Sequence, residues 1–492
     1  MNQWLKQQNW KALLIFTLLN LFFAILLAYN PNDDSYITYR HAQNLVLGRG
    51  FVFNPGEKLL GTTAPLHGLI LGLLGFVYPN FPFWASAISL VASILLSYTI
   101  FLLLKGHKQP IAAWIAGLLV IFGLSTHYAY PLETILLTAL SWGAIYAYWK
   151  DRFAWVAVFS ALAVLTRSDA AFLVVSIFLM DLLLRKDLRK LIRSGFLAVA
   201  LTVPWFLFSY FYYRSIFPNT AATKTGWVGH EFVFLEQLLT RGVYTNFSNS
   251  IIGGGVLIIA AAGLIRLFTR DWKYLRVIPL WMAIYLIAYT GMQIFWPHTW
   301  YYYPITISIS VLFALGMDTI ASQVVDFFKR RSPHVRWIRI LVYAFLFTGV
   351  ACLFILNTKD AFEFRERIPY TFFNGGRDRL YKTTADWLVE HTPPDATVAY
   401  HEPGTIAYYS DRKMIDMVGL VTSGVGDEMK RTNQPGVSID WTIENFHPDV
   451  FLQLKHKGED YEKFLDLAKQ YELITKIEFE EVEYFLLLYE RK

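Results

Sequence analysis

Cysteine and charge are the scarce ingredients of this sequence. Its 492 residues hold a single cysteine, Cys352, inside an apolar run, which excludes an intramolecular disulfide and any CxxC metal site. Only 17% of residues are charged, a balance that points to lipid rather than water as the main solvent. There is no internal repeat, no low-complexity tract, no glycine-rich nucleotide loop and no His-Glu-x-x-His spacing for a metal. The net charge of +6 would suit a nucleic-acid partner in a soluble protein. Here the basic residues follow membrane topology instead, and no nucleic-acid partner is expected.

What the chain has in quantity is apolar surface: 55% of residues are hydrophobic and the mean hydropathy is +0.36. Apolar runs of about twenty residues recur over the first three quarters, each long enough to cross about 30 Å of hydrocarbon. Eleven spans are expected, at 12–29, 84–104, 111–126, 131–149, 153–166, 170–184, 195–213, 251–268, 277–295, 303–322 and 339–357. The first lacks a small-residue cleavage pattern and is expected to stay as an anchor. With the N-terminus cytoplasmic, 20 of the 27 Lys and Arg before residue 358 fall on the inner side, as the positive-inside rule requires. The expectation is a multi-pass plasma-membrane protein with an extracytoplasmic C-terminus.

Two domains follow from this reading: a transmembrane domain, 1–357, with outer loops 30–83 and 214–250, and a soluble tail, 358–492. In the tail, short apolar runs at Ala396–Tyr400, Asp449–Gln453 and Glu483–Tyr489 alternate with helix-like stretches at Thr383–Glu390 and Tyr461–Gln470. That alternation predicts a small α/β domain.

The residues that carry chemistry gather on the outer side. After the first span comes NPNDDSYITYRHAQNLVLGRGFVFNPGE, where a helix beginning at Asp33 or Asp34 and stopping near Gly48 is expected to lie along the interface. One aspartate there needs no more than an N-cap role. Two adjacent carboxylates repel, and are useful where a cation, a substrate proton or a basic group balances them. Arg167, in a three-residue turn between two short spans, either closes the turn on Asp169 or grips a phosphate. Glu133 is either a helix-start carboxylate favoured by the macrodipole or a substrate contact. In FWPHTWYYYP, residues 295–304, the aromatics including Tyr302 serve as a membrane anchor or as substrate contacts, and His298 as a ligand or proton relay. The loop carrying Lys224, His230, Glu231 and Glu236 either covers a cavity or holds ordinary solvated charges, the latter being the default. In the tail, His401, Glu402 and Asp416 are either structural or ligand-binding.

The acidic pair followed by YxxRxAxNLxxGxGxVFNPGExxxGTTxPL resembles the first outer loop of membrane glycosyltransferases with the GT-C fold. In wording it is most similar to the mycobacterial terminal arabinofuranosyltransferase and its bacterial relatives, and more loosely to lipid A aminoarabinose transferases and protein O-mannosyltransferases. LTRSDA at the Arg167 turn and GTIAYYSDRKMIDMVGL in the tail extend the likeness over most of the chain.

The resemblance implies a polytopic α-helical GT-C protein that transfers a sugar from a polyprenyl-phosphate donor to a cell-envelope glycan, lipid or protein acceptor. It assigns the base role to Asp33, with Asp34 as neighbour or metal ligand, and the donor phosphate to Arg167. A divalent cation (Mg or Mn) held by Asp33 and Asp34 stays open. Where aminoarabinose-type relatives carry a lysine, this loop reads Thr62-Thr63-Ala64-Pro65-Leu66. Arg40, Thr63 or His67 would then replace that phosphate contact. The competing class is a transporter or flippase of lipid-linked sugars.

Overall fold

The computed structural model describes the chain except residues 1, 28–31, 124–125, 127–128, 185–187, 225–231, 245–249, 293–297, 330–336, 338–339, 343, 345–346, 353–354, 356–375, 435, 459–469 and 481. The expected tail helix over 461–470 and the loop residues His230 and Glu231 lie wholly or largely outside the described residues, while the eleventh expected span, 339–357, is described in part, as an apolar helical stretch at Ile340–Cys352.

The apolar runs fold as helices α1 (Asn2–Leu27), α4 (Phe81–Gly106), α5 (Pro110–Phe122), α6 (Thr134–Trp149), α7 (Phe153–Thr166), α8 (Ala171–Leu184), α9 (Leu188–Tyr213), α12 (Ser250–Thr269), α13 (Val277–Met292) and α14 (Thr299–Lys329). Among the described residues five helical stretches, in α4, α9, α12, α13 and α14, are long and apolar enough to cross a bilayer by length and composition. Helices α5 to α8 fall short of that, at 13 to 16 residues, so the expected count of eleven spans is not reproduced as eleven full-length helices. A 14-residue helix rises only about 21 Å. One buried polar pair joins α4 to α1, Ser93 Oγ donating to Asn20 Oδ1 at 2.6 Å, a contact that a low-dielectric interior favours.

The first loop holds two helices. In α2 (Asp33–Val46), Asn32 is the N-cap, its side chain accepting from the Ser35 amide at 3.1 Å. Neither aspartate caps the helix; both stand in its first turn, where the macrodipole favours negative charge. Ser35 through Ala42 and Asn44 are buried within the protein, so α2 turns little of this stretch outward. The cover on one side is α3 (Pro65–Gly75), which the sequence reading treated as loop: Gly72 lies directly against Leu45. On the other side lies the tail.

The tail is an α/β domain built on one mixed five-stranded sheet, ordered β2-β1-β3-β5-β4. Its strands are β1 (Thr397–Tyr400), β2 (Lys413–Asp416), β3 (Val450–His456), β4 (Tyr471–Glu478) and β5 (Tyr484–Arg491). Strand β1 pairs in parallel with β2 and β3, while β5 is antiparallel to β3 and β4. The edge strand β4 was not foreseen: its YELITKIE pattern buries only Tyr471 and Ile477, so the period-two signal is weak. Helices α15 (Gly376–His391), α16 (Gly404–Ser410), α17 (Val425–Thr432) and α18 (Ile439–Phe446) complete the domain.

Tail and first loop share one apolar core, in which Ile37 and Phe53 pack with Leu380, Ile406, Leu420 and Val421. Asn54 seals the outer edge of β2, donating to the Met414 carbonyl at 2.9 Å and accepting its amide at 3.0 Å. Such pairing blunts an otherwise open strand edge.

Candidate active site

Asp33 and Asp34 are neighbours in sequence but belong to different surroundings. The Asp33 carboxylate accepts the Gly404 amide at 2.9 Å and the Thr405 amide at 2.7 Å, the first N–H groups of α16. Unpaired amides at a helix start bind a carboxylate readily. Gly404 permits the approach, because a Cβ there would stand 2.0 Å from the Asp33 carbonyl oxygen. Burial, and after it the charge of Glu402, push the Asp33 carboxyl up to about 7 despite those two hydrogen bonds.

Behind Asp33 sits an acidic group belonging to the tail. Glu402 is held by Arg377 at 2.7 Å and by the Tyr381 hydroxyl. The Oδ2 of Asp378 is buried with no hydrogen-bond partner among the described residues. Burial, then Asp33 and Glu402, push the Asp378 carboxyl up to about 8. Asp416 is structural: it accepts the Val418, Leu420 and Val421 amides and so shapes the tail segment that reaches the loop.

Asp34 lines a narrow cavity of about 40 Å³, room for one or two waters at about 30 Å³ each. Its walls also include Thr63 from the first loop, Glu133, Arg167, Lys224, Trp300 and Tyr301, with Leu420 contributed by the tail. Arg167 is buried and held from two sides, by Glu133 Oε1 at 3.1 Å and by Asp169 Oδ2 at 3.1 Å. Asp169 in turn accepts the Tyr289 hydroxyl at 2.6 Å. Both readings of the turn therefore meet: the Arg167–Asp169 pair closes it, and the guanidinium still borders the cavity, 4.7 Å from the Tyr301 ring centre.

Lys224, a loop residue to which the sequence reading gave no site role, also borders this cavity. It ends the short helix α10 (Asn219–Lys224). Among the described residues its Nζ has Tyr301 Oη, at 3.3 Å, as its one hydrogen-bond partner. Burial would lower its pKa, but Tyr301 and Asp34 hold it above the ordinary value, so the ammonium stays charged. The α10 position is fixed from the tail and loop together: Asn219 Nδ2 and Thr223 Oγ1 donate to the Gly419 carbonyl at 2.6 and 2.9 Å, and Thr220 donates to Gly61.

The other expected residues fall at varying distances from this cavity. His298 stacks on Trp300 with ring centres 4.3 Å apart; burial lowers its pKa to about 4, against the pull of Asp34. Tyr302 is buried against Phe234, ring centres 5.0 Å apart, and Tyr301 is the cavity-lining tyrosine. Arg40 does not line the cavity. It is buried at the tail contact with Nη1 2.5 Å from Asp411 Oδ1, beside Arg49 at 2.7 Å from the same oxygen. His67 is buried with neither ring nitrogen hydrogen-bonded among the described residues, and it too is absent from the cavity lining.

Among the described residues no group of three His, Cys, Asp or Glu stands together, and both Asp33 oxygens accept backbone amides.

Comparison with known proteins places the chain by fold. A family described as a domain of unknown function (DUF8728) matches residues 371–489, the tail. No curated protein matches. Among solved structures, ArnT from Cupriavidus metallidurans bound to undecaprenyl phosphate aligns with a TM-score of 0.60 at 10% identity, covering 97% of each chain. The apo state of the same protein gives 0.62 at 12% identity, covering 96% of this chain and 97% of that one. The chain thus has an ArnT-like GT-C fold, as the first-loop motif implied, with the small sheet domain included. The likeness does not reach the closer resemblance to the arabinofuranosyltransferase.

Proposed function

We propose that this protein is a membrane glycosyltransferase that moves a sugar from a polyprenyl-phosphate donor to a cell-envelope acceptor, working at the outer face of the plasma membrane. The observation that carries the reading is the meeting of Asp34 with two cations, Arg167 and Lys224, around a single cavity also lined by Trp300, Tyr301 and Glu133, the last paired with Arg167. Glycosyl transfer from a phosphate needs a base for the incoming hydroxyl and positive charge for the departing phosphate. The fold shared with a protein whose structure holds undecaprenyl phosphate supports the donor class.

In this reading Asp34 is the base, because the Asp33 oxygens are committed to α16. The acceptor hydroxyl gives its proton to Asp34 as its oxygen attacks the anomeric carbon. The bond from that carbon to the phosphate oxygen breaks, and polyprenyl phosphate leaves with the electron pair. A single displacement inverts the anomeric centre. Lys224 has hydrogen-bond donors to spare and contacts the leaving phosphate. Arg167, already shared between Glu133 and Asp169, supplies fixed positive charge and orientation.

The test is incubation of the purified protein with a labelled polyprenyl-phosphate sugar and an envelope acceptor fraction. Release of free polyprenyl phosphate with label in the acceptor supports a transferase. Movement of intact donor between leaflets, with no release, supports the flippase reading instead.

A further inference from the structure

A second polar cavity lies at the far end of α12 and α14. The two helices are pinned by mutual glycines: a Cβ on Gly263 would stand 1.9 Å from the Leu312 carbonyl oxygen, and one on Gly316 would stand 1.9 Å from that of Ile259. Beyond this close contact they frame a cleft of about 690 Å³. Arg266 and Thr269 line it from α12, Arg270 from just past the end of that helix, and Thr319, Ser322 and Gln323 from α14.

The cleft is built around a cation. Arg266 donates to Thr319 Oγ1 at 2.9 Å and to Gln109 Oε1 at 2.7 Å, and pairs with Asp318 at 3.3 Å. Its side chain is nine-tenths buried, and its Nε has no partner among the described residues. A buried donor left unmatched is costly unless a ligand or water meets it. Arg270 is exposed at the mouth with no ion pair among the described residues, and the one acid in the lining is Asp326.

Position separates this cleft from the catalytic cavity. Tyr301 and Thr319 stand on the same helix, and the rise between them, at about 1.5 Å per residue, is roughly 27 Å, close to the thickness of the hydrocarbon core. The two sites therefore face opposite membrane surfaces. The exposed apolar side chains Ile265 and Ile320 flank the polar lining on the bilayer side, where acyl chains run.

We propose that the cleft binds the phosphate headgroup of an anionic phospholipid in the leaflet opposite the catalytic cavity. Arg270 takes the phosphate oxygens with the Arg266 charge behind it, Ser322 and Gln323 add neutral donors, and the acyl chains lie along Ile265 and Ile320. Asp326 opposes the charge and limits affinity.

Native mass spectrometry of the purified full chain tests this with three probes: phosphatidylglycerol, phosphatidylcholine and inorganic phosphate. One phosphatidylglycerol retained in preference to phosphatidylcholine is the expected result. Arg270→Gln should weaken that retention about fivefold, the effect of one basic residue near an anionic surface. Asp326→Asn should strengthen it, a gain that a misfolded variant does not produce. Equal retention of the two lipids, or unchanged retention in both variants, overturns the proposal. Inorganic phosphate competing as well as the lipid also overturns it, in favour of a soluble anion.

Discussion

The Asp33 carboxylate caps the first turn of a helix that begins at Gly404, so the first outer loop and the tail are joined beside the cavity that Asp34 lines. A motif that reads locally as an acidic pair is thus split between two surroundings, docking for Asp33 and, in the proposed function, chemistry for Asp34. Asp33→Asn keeps one acceptor and loses the other, and is expected to weaken tail docking by about 1–2 kcal/mol. Limited proteolysis should cut the variant faster in the tail, while the donor affinity of the docked fraction stays near wild type.

Gly404→Ala tests the same contact from the other side. The added Cβ collides with backbone, 2.0 Å from the Asp33 carbonyl oxygen, and overpacking of this kind costs about 1–3 kcal/mol. Amide hydrogen exchange should rise in α2 and α16 together, and in α12 not at all.

Docking should also depend on pH. Burial raises the folded-state pKa values of Asp33 and Asp378 from 3.8 to about 7 and about 8, so the docked tail binds more protons than the free one between those limits. Stability is then greatest below about pH 4 for this pair and is lost as pH rises through 7 to 8. Arg377 faces the same group and tempers the slope, whereas Glu402 adds to it. Asp378→Asn removes one of the two charges and should flatten the decline, as read by the denaturant midpoint of the tail between pH 5 and pH 8.

Lys224→Gln removes the charge and shortens the side chain by one atom. A hydrogen bond to a charged group is worth about 1.5–3 kcal/mol, so donor KM should rise roughly ten- to hundredfold. Steady-state kinetics across donor concentrations would show this, with a smaller change in the acceptor KM.

Much of this site can be read in the sequence because its signals are local. Asp33-Asp34 after a span, Glu133 at a helix start and Arg167 in a three-residue turn are each unusual where they stand. Lys224 is not: it looks like any loop lysine until the Gly419 carbonyl, almost two hundred residues later, holds Asn219 and Thr223. Helix α3 was hidden by length, since its 11 residues are too few to span and too apolar for an ordinary loop. The burial of α2 was hidden because its polar face meets Asp411 and the tail backbone, contacts no periodicity reveals. Arg40 drew notice as a free cation and proved to be an interdomain one.

The most direct test of the account is the release of polyprenyl phosphate by purified Asp34→Asn protein given a labelled polyprenyl-phosphate sugar and acceptor. Loss of a general base lowers the rate by about 10²–10⁴-fold, and the account predicts a fall of that size with donor binding and tail docking retained. Full turnover by Asp34→Asn, with the same fall appearing in Asp33→Asn while its tail stays docked, would contradict it.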